Sequence, residues 1–117
     1  MLSLAADTRI FVALGATDMR KGFDSLSGLI TGTLGQDPLS GHLFLFVNRR
    51  RDKLKILYWD GDGLAIWYKR LEQGTFQMPQ ANGDQTSAEI RSEELNMLLR
   101  GIDYSNVQRR KRFAIAS

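Results

Sequence analysis

The sequence predicts a single α+β domain, with a mainly antiparallel sheet of about four to six strands and two helices. Segments with the composition or two-residue alternation of strands occupy the middle of the chain, and segments with helical spacing lie before and after them. A length of 117 residues suffices for one hydrophobic core. We expect this domain over residues 1–104, with both helices on one face of the sheet, and a basic tail over residues 105–117.

The N-terminal part predicts a strand followed by a helix. Residues 9–14 are rich in β-branched and aromatic side chains, which is typical of a strand. Thr17 or Asp18 is expected to cap the helix, because either side chain can accept a hydrogen bond from a first-turn N–H. The apolar residues of this helix recur at spacings of three and four and so share one face. They are Phe23, Leu26, Ile30 and Leu34.

Three segments predict neighbouring strands in the middle of the chain. Residues 42–48 are almost all apolar, which indicates a strand buried on both faces at the centre of the sheet. Residues 53–59 and 64–71 are predicted to form a hairpin, because Asp60-Gly61-Asp62-Gly63 is a strong turn signal.

The register of this hairpin stays open. A three-residue loop would place Lys55 opposite Lys69, and a two-residue loop would place it opposite Tyr68. The second register would also place Lys53 opposite Arg70.

The C-terminal part predicts two short strands and a helix. The strands are expected at residues 75–78 and 86–91, the second at an edge of the sheet. Ser92 is expected to cap the helix, with acidic residues in the first turn, where the helix dipole favours them. The apolar face would consist of Leu95, Leu98, Leu99 and Ile102, and Gly101 would end the helix.

Composition excludes several classes of protein. The absence of cysteine excludes disulfides, thiolate metal sites and cysteine nucleophiles. The first residues lack the basic and apolar regions of a signal peptide, and the longest apolar run, residues 43–47, is too short to span a bilayer. We expect a cytoplasmic protein without a membrane partner.

No group of residues predicts catalysis. His42 is the only histidine and has no evident partner in the sequence. A metal-dependent nuclease needs clustered carboxylates, and the candidates here, Asp60, Asp62 and Glu72, fall on a turn and a strand end. The turn resembles part of a calcium loop but lacks its downstream ligands. The sequence therefore predicts a protein that is not an enzyme and needs no metal or cofactor.

Clustered positive charge predicts a binding surface. The net charge is only +3, yet residues 49–55 contain five basic residues and one acid, and residues 109–112 are all basic. Lys53 and Lys55 share one face of their strand. Basic residues beside exposed aromatics bind single strands by neutralising phosphates and stacking on bases. Alternatively, the aromatics fill the core and the lysines form a solvated rim.

Arg20 and Lys21 carry a separate signal. Cations in the first turn of a helix oppose its dipole, so their position calls for an explanation. A helix N-terminus flanked by them would suit a phosphate. A salt bridge to Asp18 or Asp24 would explain them equally well.

Four blocks of the chain resemble a known family. Residues 12–24, 43–60, 67–76 and 98–103 are similar, in order, to the TnpB accessory proteins encoded by the second open reading frame of the insertion-sequence-66 (IS66) family. The resemblance implies a small accessory factor of transposition, encoded beside a separate transposase that carries the catalytic site. It supplies no catalytic residue, and its basic blocks match here at residues 19–22 and 68–71.

These observations predict a non-catalytic accessory protein that binds element DNA through a basic and aromatic sheet face. The alternative is an adaptor that binds the transposase or a sibling accessory protein without touching DNA. The predicted DNA contacts are Arg20, Lys21, Arg49, Arg50, Arg51, Lys53, Lys55, Trp67, Tyr68, Lys69 and Arg70.

Overall fold

The computed structural model describes residues 4–100, which form two helices and five strands. In chain order these are β1 (Ile10–Ala16), α1 (Phe23–Gly32), β2 (Leu43–Val47), β3 (Lys53–Trp59), β4 (Leu64–Arg70), β5 (Ser87–Ile90) and α2 (Ser92–Arg100). No helix in this part of the chain is long and apolar enough to cross a membrane.

The strands form one sheet in the order β4-β3-β2-β1-β5. The β1 and β2 strands are parallel, with α1 in the connection between them, and the other three pairs are antiparallel. The α+β prediction is confirmed. The all-apolar β2 is central, as predicted, and β5 is an edge strand, also as predicted.

The two helices pack on opposite faces of the sheet. Alternate residues of β2 belong to different clusters: Leu45 packs in the cluster that contains Leu98 of α2, and Phe44 in the cluster that contains Leu26 of α1. The expectation of helices on one face is therefore wrong. A central strand without polar positions needs an apolar layer on each side, and one helix supplies each layer.

The hairpin adopts the two-residue register. Lys55 pairs with Tyr68 and Lys53 with Arg70, and the Asp60 N–H donates to the Gly63 carbonyl at 2.8 Å. Leu57 of β3 packs on the α1 side, and alternation places Lys55 and Tyr68 on that side too.

Two local features differ from the predictions. The α1 helix begins after Gly22 and has no side-chain cap, because the N-cap residue is a glycine. Thr17 and Asp18 lie before it in the loop, where the Asp18 carboxylate binds Arg20. Residues 75–78 form no strand, although Phe76 is fully buried.

The residue that caps α2 also differs from the predicted one, by one position. Ser92 is its first residue, and the Glu94 carboxylate accepts a hydrogen bond from the preceding backbone N–H, that of Arg91, at 2.8 Å. This is the reciprocal half of a capping box. The predictions for Gly101, Ile102 and the basic tail lie outside the described residues.

Candidate nucleic-acid interface

A groove of about 810 Å³ lies on the α1 side of the sheet, where the chain leaves β1 and β2. It brings together two loops that are distant in sequence with one residue each of β3 and β4. Its lining consists of Ala16, Thr17, Asp18, Met19, Arg20, Asn48, Arg49, Arg50, Lys53 and Tyr68.

One wall of the groove is the turn at residues 48–53, which we call the arginine turn. The Asn48 side-chain oxygen accepts hydrogen bonds from the Asp52 and Lys53 N–H groups at 3.0 Å, and its amide nitrogen donates to the Asp52 carboxylate at 2.7 Å. The hydrogen bond from Asn48 lowers the pKa of Asp52. Arg51 takes a positive φ of 60°, and its carbonyl accepts the Phe76 N–H at 2.7 Å. These bonds hold the turn from within and from behind.

Sequence reasoning missed Asn48 as the residue that organises this turn. The available signal was its position directly before three arginines and an aspartate, because asparagine side chains often hydrogen-bond backbone N–H groups that follow them in turns.

The opposite wall is the loop at residues 17–22, which we call the Asp18 loop. The Thr17 N–H donates to the Val47 carbonyl at 2.8 Å and ties the loop to the end of β2. The Lys55 ammonium donates to the Met19 and Lys21 carbonyls at 2.7 and 2.8 Å. Lys55 is buried and supports the loop from below, so its ammonium does not face solvent as a free phosphate ligand would.

Arg20 and Asp18 form an ion pair within this loop, at 2.6 Å between Nη2 and Oδ2. The hydrogen bonds from Arg20 hold the pKa of Asp18 below its usual range. Both residues precede α1, so the expected conflict with the first turn of the helix does not arise. The Arg20 side chain is 91% exposed, which leaves it able to meet a ligand and makes the pair a weak contributor to stability.

The other cations of the groove make no ion pair with any carboxylate in the part of the chain that the structure describes. Within residues 4–100, no carboxylate oxygen lies within 4.0 Å of a charged nitrogen of Arg49, Arg50 or Lys53. Four cations and one carboxylate therefore line the groove. Elsewhere on the surface, ion pairs join Arg9 to Glu89, Arg70 to Glu72 and Arg91 to Glu94.

Five of the eleven predicted contact residues line the groove, namely Arg20, Arg49, Arg50, Lys53 and Tyr68. Trp67 and Lys69 lie on the opposite face: Trp67 packs against the α2-side core, and the Lys69 ammonium lies 3.4 Å from the Leu99 carbonyl. Tyr68, rather than Trp67, is the aromatic residue that the groove exposes.

The remaining predicted residues lie around the groove. Lys21 lines a smaller cavity of about 310 Å³ beside α1. Arg51 is exposed at the tip of the arginine turn, and Arg70 is exposed at the end of β4, where it pairs with Glu72.

The residues weighed for catalysis do not form a site. The His42 ring accepts the Arg9 N–H at 3.0 Å and lies edge-on to Phe11, with ring centroids 6.0 Å apart. Asp60 and Asp62 lie at the hairpin turn. In the part of the chain that the structure describes, histidine and carboxylate side chains do not cluster in a group of three that could hold a metal ion.

Comparison with known proteins identifies the family. Two proteins of Sinorhizobium fredii strain NGR234 are similar, both described as uncharacterized: y4hO is 39% identical over 108 residues, and y4jC is 34% identical over 110 residues. These matches cover 92% and 94% of this chain and 92% of each relative. No solved structure matches the chain. The family model described as IS66 Orf2-like protein matches residues 8–109, and the chain belongs to that family, which points to an accessory role in transposition.

Proposed function

We propose that this protein binds the DNA of its insertion sequence through the groove and catalyses no reaction itself. The observation that carries the proposal is a set of three cations, Arg49, Arg50 and Lys53, which form no ion pair within residues 4–100 and are joined by Arg20 across the groove. Phosphate neutralisation by such residues releases counterions and supplies much of the affinity for DNA. The proposal places the chain with the element's DNA in the cytoplasm.

The geometry of the two walls favours a binding role for these cations over the alternative that they only form a solvated rim. The arginine turn is held by the hydrogen bonds of Asn48, and the Asp18 loop by those of Lys55. Backbone that is already ordered loses little conformational entropy when it binds. Cations in these positions can therefore contact phosphates without first ordering the loops that carry them.

The test is a titration of the 117-residue chain against labelled DNA from the ends of the element, followed by fluorescence anisotropy. If four phosphates are neutralised, duplex affinity falls with a log–log salt slope of about −3.6, or about 150-fold between roughly 50 and 200 mM NaCl. For a single strand the slope is about −2.8 and the loss about 50-fold.

Single variants assign the effect to the groove. Arg50→Gln and Lys53→Gln should each weaken binding and make the duplex slope shallower by about 0.9. Arg91→Gln is the matched control, because Arg91 is an exposed arginine at the start of α2 and does not line the groove. Thermal unfolding of each variant checks that the fold is retained.

The same titration examines the adaptor alternative. An absence of binding to either form of DNA at low salt would refute the proposal and leave the transposase or a sibling accessory protein as the partner to test. Binding that is insensitive to salt and to both groove variants would also refute it.

A further inference from the structure

We infer that the groove holds a single strand of DNA and that one unpaired base stacks on the ring of Tyr68; this rests on the proposed function. Tyr68 is 51% exposed, although it lies in a strand, and its ring borders the cations of the groove. Trp67, its neighbour in sequence, packs against the α2-side core. The groove therefore combines phosphate ligands with one accessible aromatic ring.

The ring of Tyr68 is held from one side. The Lys55 ammonium lies 4.8 Å from the ring centroid and is fixed by the carbonyls of Met19 and Lys21. A cation over the face of an aromatic ring is attracted to it. This contact occupies one face of the ring, and the inference assigns the base to the other face.

A base can use that surface only when it has left a duplex. Bases inside a duplex are stacked on their neighbours and present only their edges, whereas every unpaired base offers a flat face to an aromatic side chain. The groove volume of about 810 Å³ lies within the range of roughly 300–1,000 Å³ that is typical of ligand-sized pockets. A groove of this volume has room for an unpaired base and the phosphates beside it.

The experiment compares three labelled probes of equal length: an oligothymidylate, the same strand with abasic residues in place of thymidines, and a duplex. Tyr68→Ala should weaken binding of the oligothymidylate by about 5- to 150-fold and leave binding of the abasic strand and the duplex unchanged. Tyr68→Leu, which keeps apolar bulk without a flat face, should lose comparable affinity. Tyr68→Phe should retain it.

Two further variants complete the design. Phe23→Ala is the matched aromatic control, because Phe23 is 49% exposed and does not line the groove; oligothymidylate affinity should stay unchanged. Arg50→Gln should weaken all three probes, because its contact is with phosphate.

The outcomes separate the inference from the proposed function. Base stacking is refuted if Tyr68→Ala weakens the abasic strand as much as the oligothymidylate, or weakens neither. DNA binding still stands in that case, provided that Arg50→Gln weakens binding of the probes. If the duplex binds as tightly as the oligothymidylate, the preference for a single strand is refuted. If no probe binds, both proposals fail.

Discussion

Replacement of Lys55 by methionine tests whether this buried lysine supports the groove or contacts DNA. The variant keeps an unbranched apolar stem and removes the ammonium that donates to the Met19 and Lys21 carbonyls. The sequence places Lys55 among the DNA contacts, whereas the structure places its ammonium under the Asp18 loop. The two roles predict opposite results for stability and for DNA binding.

The expected destabilisation follows from the contacts that are lost. Two hydrogen bonds from a charged donor contribute about 1.5–3 kcal/mol each, and the cation–π contact with Tyr68 adds about 0.5–2 kcal/mol. The folded protein no longer has to desolvate an ammonium, which offsets several kcal/mol of this loss. Water in the adjoining groove can also reach the two carbonyls. We expect a net loss of about 2 kcal/mol, which lowers Tm by about 8 °C in a chain of 117 residues.

The assay is urea unfolding followed by circular dichroism, with Lys53→Met as the matched control. Lys53 lies two residues earlier on the same strand face and is only half-buried, so its replacement should change the free energy of unfolding by less than about 0.5 kcal/mol. For binding to duplex DNA we expect the larger effect from Lys53. Lys53→Met should make the salt slope shallower by about 0.9, and Lys55→Met should leave the slope unchanged. Equal stability of the two variants would refute the supporting role of Lys55.

Three further predictions concern the groove and its support. Asn48→Ala should raise the pKa of Asp52 towards about 3.9, the ordinary value for aspartate, as measured by NMR titration of the carboxyl carbon. In the wild type, the pKa of Asp52 is lower in the folded than in the unfolded state, so its ionised carboxylate stabilises the fold above about pH 4. This contribution is lost as the pH falls through the folded-state pKa. An Asp52 pKa that is the same in the variant as in the wild type would contradict the argument. Asp18→Asn should leave the free energy of unfolding almost unchanged, because the pair with Arg20 is exposed, yet tighten DNA binding by up to about fivefold in anisotropy titrations. Phe76→Ala should cost about 3–5 kcal/mol in chemical denaturation, and a cost below about 1 kcal/mol would contradict its full burial.

The sequence was sufficient to predict the elements whose signals are local. Alternation and the Asp-Gly turn predicted β3 with the bounds that the structure has, and the all-apolar β2 was correctly expected at the sheet centre. The same apolar run also implied a layer on each face, which the expectation of helices on one face overlooked. The parallel pairing of β1 with β2 was not predicted, because it joins segments whose contact no local pattern encodes.

The candidate site was predictable in part. Charge clustering indicated the arginine turn, and alternation placed Lys53 and Lys55 on one face. Alternation gives the face of a side chain but not its depth, so it could not show that the Asp18 loop covers Lys55. It also could not show which of Trp67 and Tyr68 faced the core, because that depended on the hairpin register.

The distribution of ion pairs gives a reason to regard the arginine turn as a binding surface rather than a polar rim, whereas Arg20 on the opposite wall is itself paired with Asp18. On a surface without a partner, arginines beside carboxylates can pair at little cost, as Arg9, Arg70 and Arg91 do here. Asp52 lies next to the arginines of the turn, yet Asn48 engages its carboxylate and keeps it in the turn backbone. The acid nearest to Arg49 and Arg50 in the chain thus shapes the turn and forms no ion pair with them within 4.0 Å, although the charge of Arg50 contributes to its lowered pKa. That arrangement leaves clustered positive charge on a hydrogen-bonded turn, as the proposed binding of a phosphate chain needs.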